Sequence, residues 1–585
     1  MGEKYKKYRS AKYHLPQESW AWNLYGSGME NMGKHGKPEP FSIPEPSDDQ
    51  LLVRIDSVGV CFSDVKILKQ GGNHPKLYNR NLSADPTRLG HEVSLTIIKV
   101  GKNLALAGNY QPGQRLAVQP DIYQNGLSTA YGYTIPGGLV QYHLIGTEVL
   151  ETDAGACLLP VDESMGYAES ALLEPWGCVA AAYTQRRRLE PKTGGTLWII
   201  GQPDDTTEFT FSKGLDAPAT IILTDVPSSI KRLASATQAK VIERNNLTID
   251  GYESVGREFT DGKGFDDIVM LNPTSANVVG QIARLIARRG TLNLVGTKPL
   301  DGLVQVDFGR LHYDYIAFVG NNTLDIGASY GEEHNRCDLR PNGTAVFVGA
   351  GGPMGQMHVQ RALELPEGPR LLIATEVNDE RLQTLKEMFA PLAEKHGRTI
   401  LFFNPTNSQK SFHQFVMEAT SGRGADDVIV SVPIAKLMEE ADTLMKPDGM
   451  LVFFAGVPNG TMGMVNLSNV YLSNAQYTGT SGLTINDQAL VMERRMEGTL
   501  SPGRSVAAIG GLETAAEAIQ SVMDSRYPGK VVIFPQIRNL PLTSLKELQE
   551  RLPDVAAKLG EDMIWTTDAE EALIEKFWEA PVYPK

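Results

Sequence analysis

Several protein classes are excluded by what this sequence lacks. Four cysteines in 585 residues, Cys61, Cys157, Cys178 and Cys337, are too few and too scattered for a disulfide framework. No C-x-x-C occurs, so a four-cysteine structural zinc is excluded. No apolar run approaches the roughly 20 residues that a membrane span needs. The basic start, Lys4 to Arg9, has no apolar stretch behind it and does not read as a signal peptide. Lys6 also stands where a myristoylation signal carries Ser or Thr. Positive charge is in deficit, and a net charge of −14 argues against a general nucleic-acid binder. With 42% hydrophobic and 21% charged residues, the composition is that of a soluble globular protein. Its length allows roughly three to four domains. A reducing, cytoplasmic setting is expected, with neither nucleic acid nor membrane as a partner.

Glycine, by contrast, is concentrated where it carries information. The apolar run Ala345 to Val348 leads into Gly349, Gly351, Gly352 and Gly355 and then into a helix-like stretch opened by Pro353 and Met354. A second apolar run, Leu371 to Thr375, ends on Glu376, about twenty residues past the turn. This order is a dinucleotide fingerprint: glycines admit a pyrophosphate to the backbone, a helix N-terminus supplies N–H groups, and an acid accepts the ribose hydroxyls. In the strict G-x-G-x-x-G frame the first glycine is replaced by Ala350, with Gly349 one place early. Glu376 would repel a 2′-phosphate, so NAD is expected rather than NADP.

Residues 194–330 repeat the plan of 342–482. Gly194 to Gly201 parallels Asn342 to Gly349, Ile221 to Asp225 parallels Leu372 to Glu376, and Tyr315 to Gly320 parallels Asn474 to Gly479. Two tandem Rossmann-like doubly wound parallel sheets are therefore expected. Where the second copy has its glycines, the first has Gly201-Gln-Pro-Asp204-Asp205-Thr-Thr207. Two carboxylates there oppose an anion, so the first copy is read as degenerate and unable to hold NAD.

Ahead of the repeat, short strands such as Leu51 to Ile55, Ser94 to Val100 and Arg115 to Val118 alternate with Gly and Pro turns, the pattern of a small β-barrel-like domain. Its chemistry lies in Gly59-Val-Cys61-Phe-Ser63-Asp64, in Gly90-His91-Glu92, and in Leu173-Glu174-Pro175. Each alone is ordinary, since most isolated cysteines are small core residues. Together, a thiolate, an imidazole and carboxylates are the ligand types of a catalytic zinc.

With Pro112-Gly-Gln-Arg115 and Gly137-Gly-Leu-Val-Gln-Tyr142 added, these motifs resemble the zinc-dependent medium-chain dehydrogenase/reductase family, within it the polyol branch of the sorbitol dehydrogenases. The resemblance covers roughly residues 20–190 and 340–540. It implies a GroES-like β-barrel catalytic domain, a nucleotide domain, and a return of the chain to the catalytic domain. Carried over, Cys61, His91 and Glu92 correspond to zinc ligands and Glu174 to an acid that ligates directly or through water. Ser63 corresponds to the hydroxyl that relays the substrate's proton, and Asp64 to an acid behind the ligands. One catalytic zinc is implied, and the structural-zinc lobe is missing.

The expected divisions are 1–193 catalytic, 194–335 degenerate Rossmann-like, 340–482 NAD-binding, 483–540 return to the catalytic domain, and 541–585 a helical tail. In the resembled family nucleotide domains pair edge to edge between subunits, so the first copy is expected to take the partner's place in an internal pseudo-dimer. Homo-oligomerisation is left open. The expected reaction is reversible oxidation of a secondary alcohol on a polyol, sugar or sugar phosphate, with zinc as Lewis acid and hydride passing to the nicotinamide held by Gly349, Gly351, Gly352, Pro353, Met354, Gly355 and Glu376. Lys66 and Lys69, with His74 and Lys76, form a basic cluster suited to a substrate phosphate or, equally, to solvent. The alternative is a non-catalytic NAD-binding sensor or scaffold, which would be expected to have lost Cys61, Ser63, His91, Glu92 or Glu174; all are present.

Overall fold

The computed structural model describes residues 2–184 and 187–580. The chain divides into two units, one made of the residues up to Ala180 together with those from Leu483 onward, the other of Ala181–Gly482. The division falls at the end of helix Leu173–Ala181, ahead of Thr193.

The first unit is built on an eight-stranded sheet in the order Leu158–Pro160, Arg115–Val118, Glu92–Val100, Leu51–Val60, Lys530–Phe534, Val506–Gly511, Thr543–Ser544, with Tyr142–Ile145 also on Leu51–Val60. The strand Leu51–Val60 is buried along its whole length, which suits its near-continuous apolar sequence. Its register positions the chemistry. Gly59 lies opposite Glu92, and Val60 lies opposite Val531. The next residues, Cys61 and Lys530, therefore emerge beside each other at the same end of the sheet as Glu92.

The tail is only partly helical. Thr543–Ser544 extends the sheet, and the helices are Leu548–Arg551, Pro553–Ala556 and Thr567–Phe577. Helix Thr567–Phe577 is packed: the backbone N–H groups of Gly2 and Tyr5 donate to Glu571 and Glu575, and the Tyr8 and Trp578 rings meet edge to face at 5.2 Å. Glu570 is fully buried and accepts the N–H groups of Tyr167 and Ala168 at the start of helix Tyr167–Ala171.

The second unit holds two six-stranded parallel sheets. One runs Lys240–Glu243, Thr220–Thr224, Thr196–Ile200, Phe265–Leu271, Ile286–Val295, Ala317–Asn321; the other runs Thr399–Phe403, Leu371–Thr375, Thr344–Val348, Ala425–Val430, Met445–Phe453, Gln476–Thr478. In sequence order each is 3-2-1-4-5-6, the doubly wound Rossmann topology. The copies join through an antiparallel pairing of Val304–Asp307 with Met462–Val465. A single apolar cluster, from Trp198 and Ile268 to Val428 and Tyr477, runs through both. Two sheets sharing one core fold as a unit rather than as beads on a string.

Burial pushes the Glu570 carboxyl from its usual 4.5 up to about 7, against the pull of the N–H groups of Ala168 and Tyr167. A folded-state pKa above the unfolded one means that the folded chain holds the proton more tightly. The group's contribution to stability is full below about 4.5 and is lost as the pH rises through about 7. Thermal midpoints at pH 5 and pH 8 should fall more for the wild type than for Glu570→Gln; equal falls would show that this carboxyl does not govern the slope.

Candidate metal and cofactor sites

Cys61 stands at the turn from Leu51–Val60 into helix Phe62–Gln70. Asp64, in the helix's first turn, reaches back to accept the Cys61 N–H at 2.9 Å, which caps the helix and fixes the turn. The other oxygen of Asp64 accepts the Gly90 N–H at 3.0 Å and lies 3.5 Å from His91 Nδ1. One buried carboxylate thus joins the cysteine loop to the histidine loop. Among the described residues, Cys61, His91 and Glu92 place one ligand atom each within 4.8 Å of one another.

Glu92 is fully buried, and Lys530 donates to its Oε1. Among the described residues its Oε2 has no hydrogen-bond partner. A buried carboxylate oxygen left without a donor, beside a thiol and an imidazole, fits a divalent cation, and the donor set is one that zinc takes. Glu174 lies outside the triad on helix Leu173–Ala181, with the Cys178 thiol 3.6 Å from its Oε1. Burial raises the Glu174 carboxyl to about 7; His91 opposes the rise and Glu92 adds to it. Lys530 offsets one negative charge of a donor set that two carboxylates and a thiolate would otherwise make strongly anionic.

Ser63 is half-buried beside Tyr133. The Tyr133 ring lies 5.7 Å from the His91 ring and 5.4 Å from His74, and Lys76 Nζ is 5.1 Å from its centre. Lys76 also pairs with Asp121 at 3.1 Å. Burial, with Lys76 and Lys66 adding, lowers the His74 imidazole to about 4. Lys66 and Lys69 themselves are exposed on helix Phe62–Gln70, and it is Lys76 that faces Tyr133. Lys530 and Tyr133 escaped the sequence reading: only strand register reveals the neighbours of Lys530.

In the second copy, strand Thr344–Val348 ends at Gly349, whose φ of +75° supplies the left-handed turn. Ala350 is buried and its N–H bonds the Thr375 carbonyl at 2.8 Å, so the turn glycine sits one place before the strict frame. At Gly351 any Cβ would collide with Glu376 Oε2, and Gly352 faces open space. Helix Pro353–Glu364 begins immediately after, with Pro353 as its first residue, and Met354 and Gly355 lie in its first turn. Glu376 Oε1 accepts the N–H groups of Val377 and Asn378 at 2.9 and 3.0 Å, which orients Oε2 over the glycine turn. This arrangement can receive a pyrophosphate and a ribose diol.

The first copy keeps Gly201 and Asp225 at the positions of Gly349 and Glu376 but differs between them. Among the described residues no helix lies between Thr196–Ile200 and Thr220–Thr224. Asp205 instead accepts from Thr207 and Asn272, closing the loop on itself.

Family models for the alcohol dehydrogenase GroES-like domain and for the zinc-binding dehydrogenase match residues 47–152 and 353–495. Mannitol-1-phosphate 5-dehydrogenase of Aliivibrio fischeri is 23% identical over 545 residues, covering 92% of this chain and 94% of that one. L-sorbose 1-phosphate reductase of Klebsiella pneumoniae is 22% identical over 562 residues, covering 95% and 98%. Sorbitol dehydrogenase of Gallus gallus is 28% identical over 211 residues, covering 34% and 53%. Residues 47–152 and 353–495 are thus similar to the two domains of zinc-binding alcohol dehydrogenases, and these relatives are named as dehydrogenases and reductases of polyols and sugar phosphates. It is an oxidoreductase of GroES-like and Rossmann-like build, and one of the two matching models is that of zinc-binding dehydrogenases. The near full-length matches show that a family member of this length, extra copy included, is not peculiar to this chain. No helix among the described residues is long and apolar enough to cross a membrane.

If Asp64 holds the two ligand loops in register, Asp64→Asn should lower zinc affinity by about 10- to 100-fold, read by competition with a chromophoric chelator. Unchanged affinity in a folded variant would remove Asp64 from the site's support.

Proposed function

We propose that the chain is a zinc-dependent, NAD-preferring dehydrogenase that interconverts a secondary alcohol and a ketone on a polyol, sugar or sugar phosphate. The observation that carries the reading is the convergence of Cys61, His91 and Glu92, with Glu92 Oε2 buried and unpartnered. Cys61, His91 and Glu92 would hold one zinc ion, with Glu174 beside them to ligate or to order a water. When bound, zinc supplies Lewis acidity and the nicotinamide supplies a hydride acceptor. Asp64 orients His91 and fixes the Cys61 turn. Ser63 takes up the substrate hydroxyl's proton, and the neighbouring Tyr133 face excludes water on that side.

Substrate class is supported by the relatives whose names specify phosphorylated polyols or sugars, among them D-arabitol-phosphate dehydrogenase of Enterococcus avium, 27% identical over 292 residues. Lys76, 5.1 Å from the centre of the Tyr133 ring, with Lys66 and Lys69 exposed on helix Phe62–Gln70, is a cation a phosphate would use, in accord with those names. Preference for NAD follows from Glu376, whose carboxylate beside Gly351 accepts a ribose diol and repels a 2′-phosphate.

Initial rates on a panel of polyols and their phosphates, with each cofactor, test this. Turnover with NAD should exceed that with NADP by about tenfold or more, and Glu376→Ala should narrow the gap. Preference for NADP, or no turnover of any polyol or sugar phosphate, would contradict the reading.

A further inference from the structure

The first copy has given up its own nucleotide site but presents a short helix to the other copy's. In the pairing of Val304–Asp307 with Met462–Val465, Gln305 falls opposite Met464. Gln305 lies ten residues before Tyr315 and Met464 ten before Asn474, which are repeat equivalents, so the residue faces its own counterpart. A local two-fold axis therefore relates the copies, and each presents the same element to the other. From the second copy, Tyr471 of helix Ser468–Leu472 donates to the Lys298 carbonyl at 2.6 Å, in the loop after strand Ile286–Val295. From the first, the element is helix Phe308–Tyr313.

His312 on that helix is 2% exposed. Its Nδ1 lies 3.2 Å from the Phe453 carbonyl and its Nε2 3.0 Å from Ser481 Oγ. A carbonyl only accepts, so Nδ1 carries the hydrogen; in the neutral ring Nε2 then accepts from the Ser481 hydroxyl. Tyr313 approaches so closely that any Cβ at Gly456 would collide with its hydroxyl. Phe453 ends the fifth strand of the second copy, and Ser481 follows the sixth strand, Gln476–Thr478. In a sheet of this order a dinucleotide lies across the carboxyl ends, one half on each side of the switch point. Glu376, after the second strand, marks the adenosine half; the nicotinamide half falls on the side of strands four to six.

We propose that His312 of the degenerate copy is a positioning residue for the nicotinamide half of the cofactor. By tying the end of the fifth strand to the loop after the sixth it fixes both walls of that half-site, and this is the work the first copy retains. The inference rests on the reading that the second copy binds NAD(H).

The test is ligand binding to the full chain: NADH by fluorescence titration, and ADP-ribose, which lacks only the nicotinamide ring, by calorimetry. His312→Ala and Ser481→Ala should each weaken NADH by about five- to tenfold and leave ADP-ribose within about twofold. His312→Gln, whose amide stands near the Nε2 position, should recover part of the loss. Unchanged NADH affinity, or equal losses for both ligands, overturns the proposal, the second by showing general damage to the fold. Ser481→Ala keeps the test intact should His312→Ala fail to fold. A wild-type chain that binds neither ligand overturns the cofactor reading itself and, with it, this inference.

Discussion

Asp64 lies in the interior of the first unit and accepts two backbone N–H groups, from Cys61 and from Gly90, while facing the His91 imidazole. Burial alone would raise its pKa; the His91 charge and the two N–H donors outweigh that and hold it below the usual carboxylate range. A carboxylate kept ionised in this way is an electrostatic staple between two loops that are distant in sequence. It adds a side-chain tie between the cysteine turn and the histidine turn to the backbone pairing of the strands beside them. Strand register completes the site: Gly59 opposite Glu92 and Val60 opposite Val531 bring the Glu92 carboxylate and the Lys530 ammonium to the same sheet end. Lys530 donates to Glu92 Oε1, which leaves one oxygen committed to the lysine and one free for a metal.

The second unit shows what duplication preserves and what it lets go. Both copies keep the six-stranded scaffold and share one apolar core, because loss of either sheet would expose the other's face. The first copy has no helix after its first strand among the described residues, where the second packs Met357, Val359, Ala362 and Leu363 of helix Pro353–Glu364 into its interior; Asp205 ties that loop of the first copy to Thr207 and Asn272. The surface that pairs the copies survives in each.

Much of this was legible in the sequence. The alternation of strands and helices in 342–482, the order of Gly349, Gly351, Gly352 and Gly355 and the acid Glu376 have local signatures, and they stand where those signatures put them. Cys61, His91 and Glu92 were recognisable as ligand types, and the structure brings them together. The groups that tune them left no local trace. Lys530 is visible only through register with a strand more than 400 positions earlier, its partner Glu92 lying 438 residues away. Tyr133 is one tyrosine in a loop, and His312 one histidine on a six-residue helix. Their roles come from long-range packing, which periodicity and spacing do not encode. The tail read as helical because Leu545, Leu548 and Leu552 have helical spacing; Thr543–Ser544 pairs instead with Ile509 and Ala508, where an open sheet edge takes precedence over local propensity.

The central claim is that one zinc ion is held by one sulfur and by nitrogen and oxygen donors at Cys61, His91 and a glutamate. X-ray absorption at the zinc edge, on the full chain after zinc loading, tests it most directly. The account predicts about one zinc per chain, with a single sulfur near 2.3 Å and the remaining ligands near 2.0–2.2 Å, and loss of the sulfur shell in Cys61→Ser. A chain that takes up no zinc, or a zinc with no sulfur ligand in the wild type, would contradict it.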